Sequence, residues 1–297
     1  MPTEKDFALD RELLIRRFGR AAGTYDDVSV LAREVARRMD ERLDYIRLAP
    51  KRILDLGCGT GADFDALGKR FPSAMRVGID FALPMLERAR GERGLLGRLR
   101  AFGRPAVPSL VCADAASLPI ARASMSLVWS NLTLNWLTDP LPALRELHRV
   151  LEVDGMLMFS SLGPDTLKEL RDALPQAYGE RVHRFLDMHD VGDALVAAGF
   201  SDPVMDMEVL TLTYGDLDEL LRDLRLSGST NASTARPRGL AGKSGWATAR
   251  TALDTLRREG RLPATFEIVQ GHAWKAQPKV TDDGRAVMRF QPRKPAG

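Results

Sequence analysis

Cysteine is nearly absent from this 297-residue chain, which holds only Cys58 and Cys112. Two thiols make no disulfide framework, no zinc ribbon and no cluster site, and they suit a reducing, cytoplasmic setting. Aromatic residues are only 6% of the chain and form no array on which bases would stack, which argues against nucleic acid as a partner. No window reaches the roughly 18 apolar residues that span a bilayer, so no membrane span is expected. The opening MPTEKDFALDRELLIRRFGR carries too many acids and charges for a signal or transit peptide. No repeat of about 20–50 residues is visible, which excludes a solenoid.

What is present suits a large packed core, because 44% of residues are hydrophobic. The net charge of +3 hides an asymmetry. Residues 236–297 hold 13 Lys/Arg against 5 Asp/Glu, a net of +8, which leaves −5 on residues 1–235. A basic C-terminal quarter favours an anionic partner or serves as a solubilising surface. The stretch from Lys279 to Gly297 shows no periodicity and reads as a frayed tail.

Short apolar runs alternate with helical patterns. RILDL (52–56), AMRVGID (74–80), LVCAD (110–114), MSLVWS (125–130) and GMLMFS (155–160) are β-prone and bounded by turn residues, as buried parallel strands are. Leucines at 141, 144, 147 and 151 mark one helix face. A helix is expected over about 29–48, after the segment 18–27. Such alternation predicts an α/β fold, an open and mostly parallel sheet with helices on both faces. Two long alternating runs, 203–214 and 263–274, then predict an antiparallel edge. The insert between them carries helical signals at 216–226 and 246–258, and is expected to fold over that edge.

The chemistry gathers after the first strand. Asp55-Leu-Gly57-Cys-Gly59-Thr-Gly61 places three glycines where the backbone must turn sharply and approach a ligand. A helix is expected to begin near Gly61, with its amides facing the same spot. Asp80 ends the second run and suits a ribose diol, while Asp114 and Ala115 close the third. The bland alternative is that Asp80 and Asp114 only cap helices. An acid at position 55 repels a pyrophosphate and attracts a sulfonium or ammonium, so a cationic nucleoside, S-adenosylmethionine, fits better than NAD.

ILDLGCGTG, GID and CADAASLP resemble motifs of the class I S-adenosylmethionine-dependent methyltransferases, over residues 18–200. FGRAAGTYDDVSVLAREVARRM, SNLTLNWLTDPLPALRELHRVLEVDG, FSSLGPDTLKELRDA, HRFLDMHDVGDALVAAGFSDPVMD and ATFEIVQGHAW extend the resemblance to the malonyl-[acyl-carrier protein] O-methyltransferases of the biotin pathway. The resemblance implies a Rossmann-like sheet of seven strands with the last inserted antiparallel. It also implies a helical cap (1–50), a cofactor-binding core (51–214), a lid or partner insert (215–262), a final strand (263–278) and a tail (279–297). S-adenosylmethionine is the implied cofactor and malonyl-acyl carrier protein, an acidic partner, the implied substrate. Two alternatives stay open: a small-molecule methyltransferase acting on a quinone precursor, and a protein arginine hydroxylase resembling a respiratory complex I assembly factor.

A carboxylate nucleophile is ionised at neutral pH, so no general base is expected. Tyr25 is the candidate for orienting the reacting groups, on a segment that by resemblance folds over the sulfonium. Arg20 is a candidate for the cofactor carboxylate, and Asn131 for the cleft wall. Asn135 and Trp136 follow on the same loop, and Arg222, Arg225 and Asn231 in the insert are candidates for the substrate or the carrier protein. Arg236, Arg238, Lys243 and Arg250 add basic charge there. His148 reads as solvated and His272 as structural. His183 and His189, beside Asp187 and Asp190, have a spacing that fits no zinc pattern and read as packing and capping, so no metal is expected. The basic stretch 88–104 reads as a solvated loop.

Overall fold

The computed structural model describes residues 8–91, 108–174, 180–237, 239 and 242–277. Seven strands form one sheet: β1 (Arg52–Leu56), β2 (Met75–Asp80), β3 (Ser109–Cys112), β4 (Met125–Ser130), β5 (Leu151–Leu162), β6 (Ser201–Tyr214) and β7 (Leu262–Trp274). Their order is β3-β2-β1-β4-β5-β7-β6. The first five pair in parallel, and β7 lies antiparallel between β5 and β6. This is the expected α/β sheet, with β6 rather than the reversed strand at its edge.

Alternation along each strand supplies a core on both faces. Ile53, Leu127, Trp129, Met156 and Met158 face one cluster, while Leu54, Leu56, Val128, Leu157 and Phe159 face the other. Ten described helices complete the layers. α1 (Arg11–Ala21), α2 (Tyr25–Val28) and α3 (Val30–Arg42) precede the sheet, and α4 (Phe64–Arg70) and α5 (Leu83–Gly91) follow β1 and β2. α6 (Leu141–Val150), α7 (Lys168–Ala173) and α8 (Met188–Ala197) come next, and α9 (Leu217–Leu226) and α10 (Gly242–Asp254) form the insert. No described helix is long and apolar enough to cross a membrane.

Several boundaries differ from expectation. α3 stops at Arg42, short of the expected 48, where a 3-10 turn over Leu43–Tyr45 takes over. α1 was hidden by its charges, yet Leu14, Phe18 and Ala21 share its inner face and Asp10 caps it by accepting the Leu13 amide at 3.0 Å. α4 starts at Phe64, because Gly61 has a φ of +81° that no right-handed helix admits. β3 ends at Cys112, two residues before Asp114. α10 spans Gly242–Asp254, four residues earlier than its pattern suggested. The tail, Arg238 and most of the basic stretch 88–104 lie outside the described residues, as does the Lys243 side chain.

Candidate active site

The glycine loop leaves β1 and folds back on β2. The amides of Gly57 and Cys58 both donate to the Ile79 carbonyl, at 2.7 and 3.0 Å. Gly59 donates its amide to the Asp80 carboxylate at 3.0 Å, and the Ala82 amide donates to the other oxygen at 2.7 Å. Gly57 has a φ of +70°, and a Cβ there would stand 2.1 Å from the Thr133 hydroxyl, so only glycine fits this turn. Thr133 follows Leu132, a non-glycine residue at a φ of +48° just past the end of β4. Strained backbone of this kind is typical of ligand clamps.

Two cavities meet at this loop. The larger, about 580 Å³, runs between α1, α2, the ends of β1, β2 and β4, and the insert. The smaller, about 220 Å³, is walled by Arg11, Leu14, Ala113, Asp114, Ala115 and Thr138 among others. Gly57, Asp80, Phe81, Thr133 and Trp136 belong to both and form the junction. The combined shape, largely apolar with a few convergent polar groups, is that of a small-molecule site. An aromatic row crosses it: Phe81 meets Phe18 edge-on at 5.9 Å, Phe18 meets Trp136 at 5.2 Å, and Trp136 meets His183 at 5.2 Å.

The junction is acidic. Burial raises the Asp80 carboxyl above its ordinary value, while the amides of Ala82 and Gly59 pull it back. Burial also raises Asp63, which accepts the Trp129 indole N–H at 2.8 Å. The Tyr25 phenol is pushed far up by burial and then by Asp63, Asp80 and Asp26, so it stays protonated as a hydrogen-bond donor. Carboxylates clustered around one phenol favour a cationic ligand at this end.

The sequence candidates fall into three groups. Gly57, Gly59, Asp80, Tyr25, Asn131, Asn135, Trp136, Arg225 and Asn231 all line the larger cavity. Asp114 and Ala115 line the smaller one, and Asp114 also pairs with Arg11 at 2.8 Å and accepts the Ala116 amide. The third group is corrected in position. Arg20 is exposed and outside both cavities, because Arg17, three residues earlier on α1, takes the inner wall. Asp55 is buried in β1 at 2% exposure and reaches neither cavity wall. Gly61 also lines neither; a Cβ there would stand 2.8 Å from the Phe64 ring, so it serves the turn. Arg222 is exposed on α9 and away from both.

The asparagines are already engaged. Asn131 donates to the Ala32 carbonyl at 2.9 Å and accepts from Ser160 at 3.0 Å. Asn231 donates to the Glu180 carbonyl and accepts the Ser233 amide. With its amide turned to the orientation that satisfies both neighbours, Asn135 accepts the Trp136 indole N–H at 3.1 Å and donates to the Leu132 carbonyl. These amides hold the wall in shape. Among the other basic candidates, Arg236 pairs with Asp10 and Arg250 with Asp218.

Sequence reasoning missed Arg17, Phe81, Thr133 and the cavity position of His183. Arg17 had a signal, since it adjoins Phe18 on the inner face of α1. It donates to the carbonyls of Thr230 and Asn231 at 3.0 and 2.6 Å, tying α1 to the insert. His148 is not solvated: its ring is half-buried against Phe200 at 5.3 Å and packs on Gly199. His189 sits exposed at the start of α8, where Asp187 accepts its amide as the helix cap. His272 stacks edge-on with Trp274, away from the cavities.

A model of the methyltransferase domain matches residues 54–159. The malonyl-[acyl-carrier protein] O-methyltransferase of Laribacter hongkongensis is 50% identical over 295 residues, covering 98% of this chain and 99% of that one. That of Gallionella capsiferriformans is 48% identical over 286 residues, covering 96% and 97%. Among solved structures, the YcgJ protein of Bacillus subtilis superposes with a TM-score of 0.57 at 16% identity, over 83% of this chain and all of that one. A methyltransferase-like protein of Bacillus halodurans gives 0.54 at 16% identity, over 80% and 99%. Both structural likenesses confirm the fold.

Proposed function

The chain belongs to the malonyl-[acyl-carrier protein] O-methyltransferases, and from that membership we propose that it methylates the free carboxylate of a malonyl thioester carried on acyl carrier protein, an early step of biotin synthesis in the cytoplasm. Near-full-length identity of 50% to a relative of that name carries the reading, and it favours this substrate over the quinone-precursor and hydroxylase alternatives. S-adenosylmethionine is the cofactor, and the glycine cradle, with Asp80 facing both cavities, fits it. When bound it supplies a methyl carbon on sulfonium, so that an oxygen–carbon bond forms as the carbon–sulfur pair returns to sulfur, with no proton released.

In this reading Asp80 takes the ribose, Asp114 and Ala115 border the base, and Gly57 and Thr133 shape the turn between the two cavities. The larger cavity takes the methionine end and the acyl substrate. The protein's task is alignment and exclusion of water, since the nucleophile arrives ionised. Tyr25 donates its hydroxyl toward the reacting groups, and Arg225, at the insert side of the cavity, attracts the substrate anion. The insert 215–262 serves as lid, and Arg222 and Arg225 meet the acidic carrier protein.

The test is methyl transfer from labelled S-adenosylmethionine to purified malonyl-acyl carrier protein, read by intact mass. A gain of one methyl group, absent with the acetyl form, supports carboxylate methylation. No gain while the cofactor still binds would turn the reading toward another acceptor.

A further inference from the structure

One imidazole in the wall of the larger cavity has no assigned task. His183 is 5% exposed and lies in the stretch that leads into α8. Its ring packs on Phe185 at 4.4 Å and on Trp136 at 5.2 Å. Trp136 borders both cavities, so His183 stands one ring from their junction. Its Nε2 atom is buried and meets no hydrogen-bond partner among the described residues.

A buried polar atom left without a partner is costly and uncommon in folded proteins. The neighbouring polar groups do not share this condition. Arg17, Asn135 and Asn231 each spend their hydrogen bonds on the protein's own backbone or on Trp136. His183 therefore holds its site without the local bond that would explain it, and the residue lines a cavity of about 580 Å³. Burial, then the charges of Arg17 and Arg171, lower its pKa to about 4, so the ring is neutral at neutral pH. Arg17, which lines the same cavity, also favours an anion at this wall.

We propose that His183 is a positioning residue for the acyl substrate, its Nε2–H donating to one oxygen of the substrate carboxylate. A neutral donor orients that oxygen while withdrawing less charge than a bidentate guanidinium, which leaves the second oxygen free to attack. The inference rests on the proposed carboxylate substrate.

The test compares the full-length wild type with His183→Phe, which keeps ring packing and removes the donor, and with His183→Gln, which restores an N–H near the same place. With malonyl-acyl carrier protein, His183→Phe is expected to lose about 10- to 100-fold in kcat/KM, the range for one hydrogen bond to a charged group. His183→Gln should recover most of that loss, and calorimetry should give both variants wild-type affinity for S-adenosylmethionine. In the wild type, the His183 ring nitrogen resonance should shift on adding malonyl thioester with S-adenosylhomocysteine, and not on adding acetyl thioester. Wild-type kcat/KM in His183→Phe, or equal losses in both variants with cofactor affinity impaired, would overturn the assignment and leave only a packing role. A wild type inert toward malonyl-acyl carrier protein would overturn the substrate reading and this inference together.

Discussion

At Asp80 one buried carboxylate accepts the Gly59 and Ala82 amides while facing both cavities. Both bonds go to loop amides ahead of α5, which starts at Leu83, so Asp80 shapes the turn at the cavities rather than capping the helix. Replacement by Ala removes two charge-assisted bonds that shape the loop as well as any ligand contact. Asp80→Ala should therefore weaken S-adenosylmethionine binding by about 100-fold or more, at a cost of about 1.5–3 kcal/mol per lost bond to a charged group. Unchanged affinity by calorimetry would remove Asp80 from the cofactor site. His183 yields a second prediction, on stability. Its ring protonates near 6.5 in the unfolded chain and only near 4 in the fold, because burial opposes the charge. The unfolded state then binds more protons between those values, so the native state loses stability as pH falls from about 6.5 toward about 4. At pH 5 the loss from this ring is about 2 kcal/mol. Buried Asp63 and Asp80, with raised pKa values, act in the opposite direction, so the comparison must be between proteins. Wild type should lose about 2 kcal/mol more than His183→Phe between pH 7 and pH 5 in urea unfolding. Parallel pH profiles would show that the ring is not held neutral. Asp80 was legible in the sequence because it closes a strand after a glycine motif. His183 was not, because cavity membership depends on which distant segments pack against it, and Arg17 carried only the faint signal of adjoining Phe18.

The glycine loop and the turn after β4 act as one element, locked by the contact of Gly57 with Thr133. Thr133 also donates its hydroxyl to the Leu56 carbonyl at 3.0 Å, so the turn is pinned to the end of β1. Gly57→Ala would force a methyl group into that hydroxyl and hold alanine at positive φ. Backbone strain of about 1–3 kcal/mol and an overpacking cost of about 1–3 kcal/mol should together lower stability by several kcal/mol. The same change should abolish cofactor binding. Thr133→Ala in the same chain should recover part of the stability through relief of the clash, and little of the binding, because φ stays positive. A Gly57→Ala protein with wild-type Tm would show that the turn relaxes freely. Strands were the most legible elements, because buried runs bounded by turn residues have few other readings. β5 proved longer than its apolar run because Leu151 pairs with Met125 across an irregularity in register, which periodicity cannot show. α1 was obscured by Arg and Glu side chains on its outer face, and the start of α4 by the glycine that precedes it.

For the whole molecule, the charge asymmetry and the insert bear on how a large substrate is met. The insert is fastened to the N-terminal helices by Arg17, which grips its 230–231 backbone, and by Arg236, which pairs with Asp10 at 3.1 Å, while Arg250 pairs with Asp218 inside it at 2.7 Å. Arg222 and Arg225 are both exposed on α9, but only Arg225 lines the cavity. The two should separate docking from acyl binding. Charge at a rim steers encounter with an oppositely charged partner and is screened within about 10 Å at moderate salt, whereas a charge in the cavity acts on whatever enters it. Arg222→Glu should therefore raise KM for malonyl-acyl carrier protein by about 3- to 10-fold, in line with rim charges acting mainly on association, and leave a free malonyl thioester unaffected. Arg225→Glu should impair both substrates, and the double variant should be worst with the carrier protein. Added salt should shrink the Arg222→Glu effect and leave most of the Arg225→Glu effect in place. Equal effects of Arg222→Glu on carrier-bound and free thioester would move the docking surface off α9, because a true rim contact has no means of sensing a substrate that lacks the partner protein.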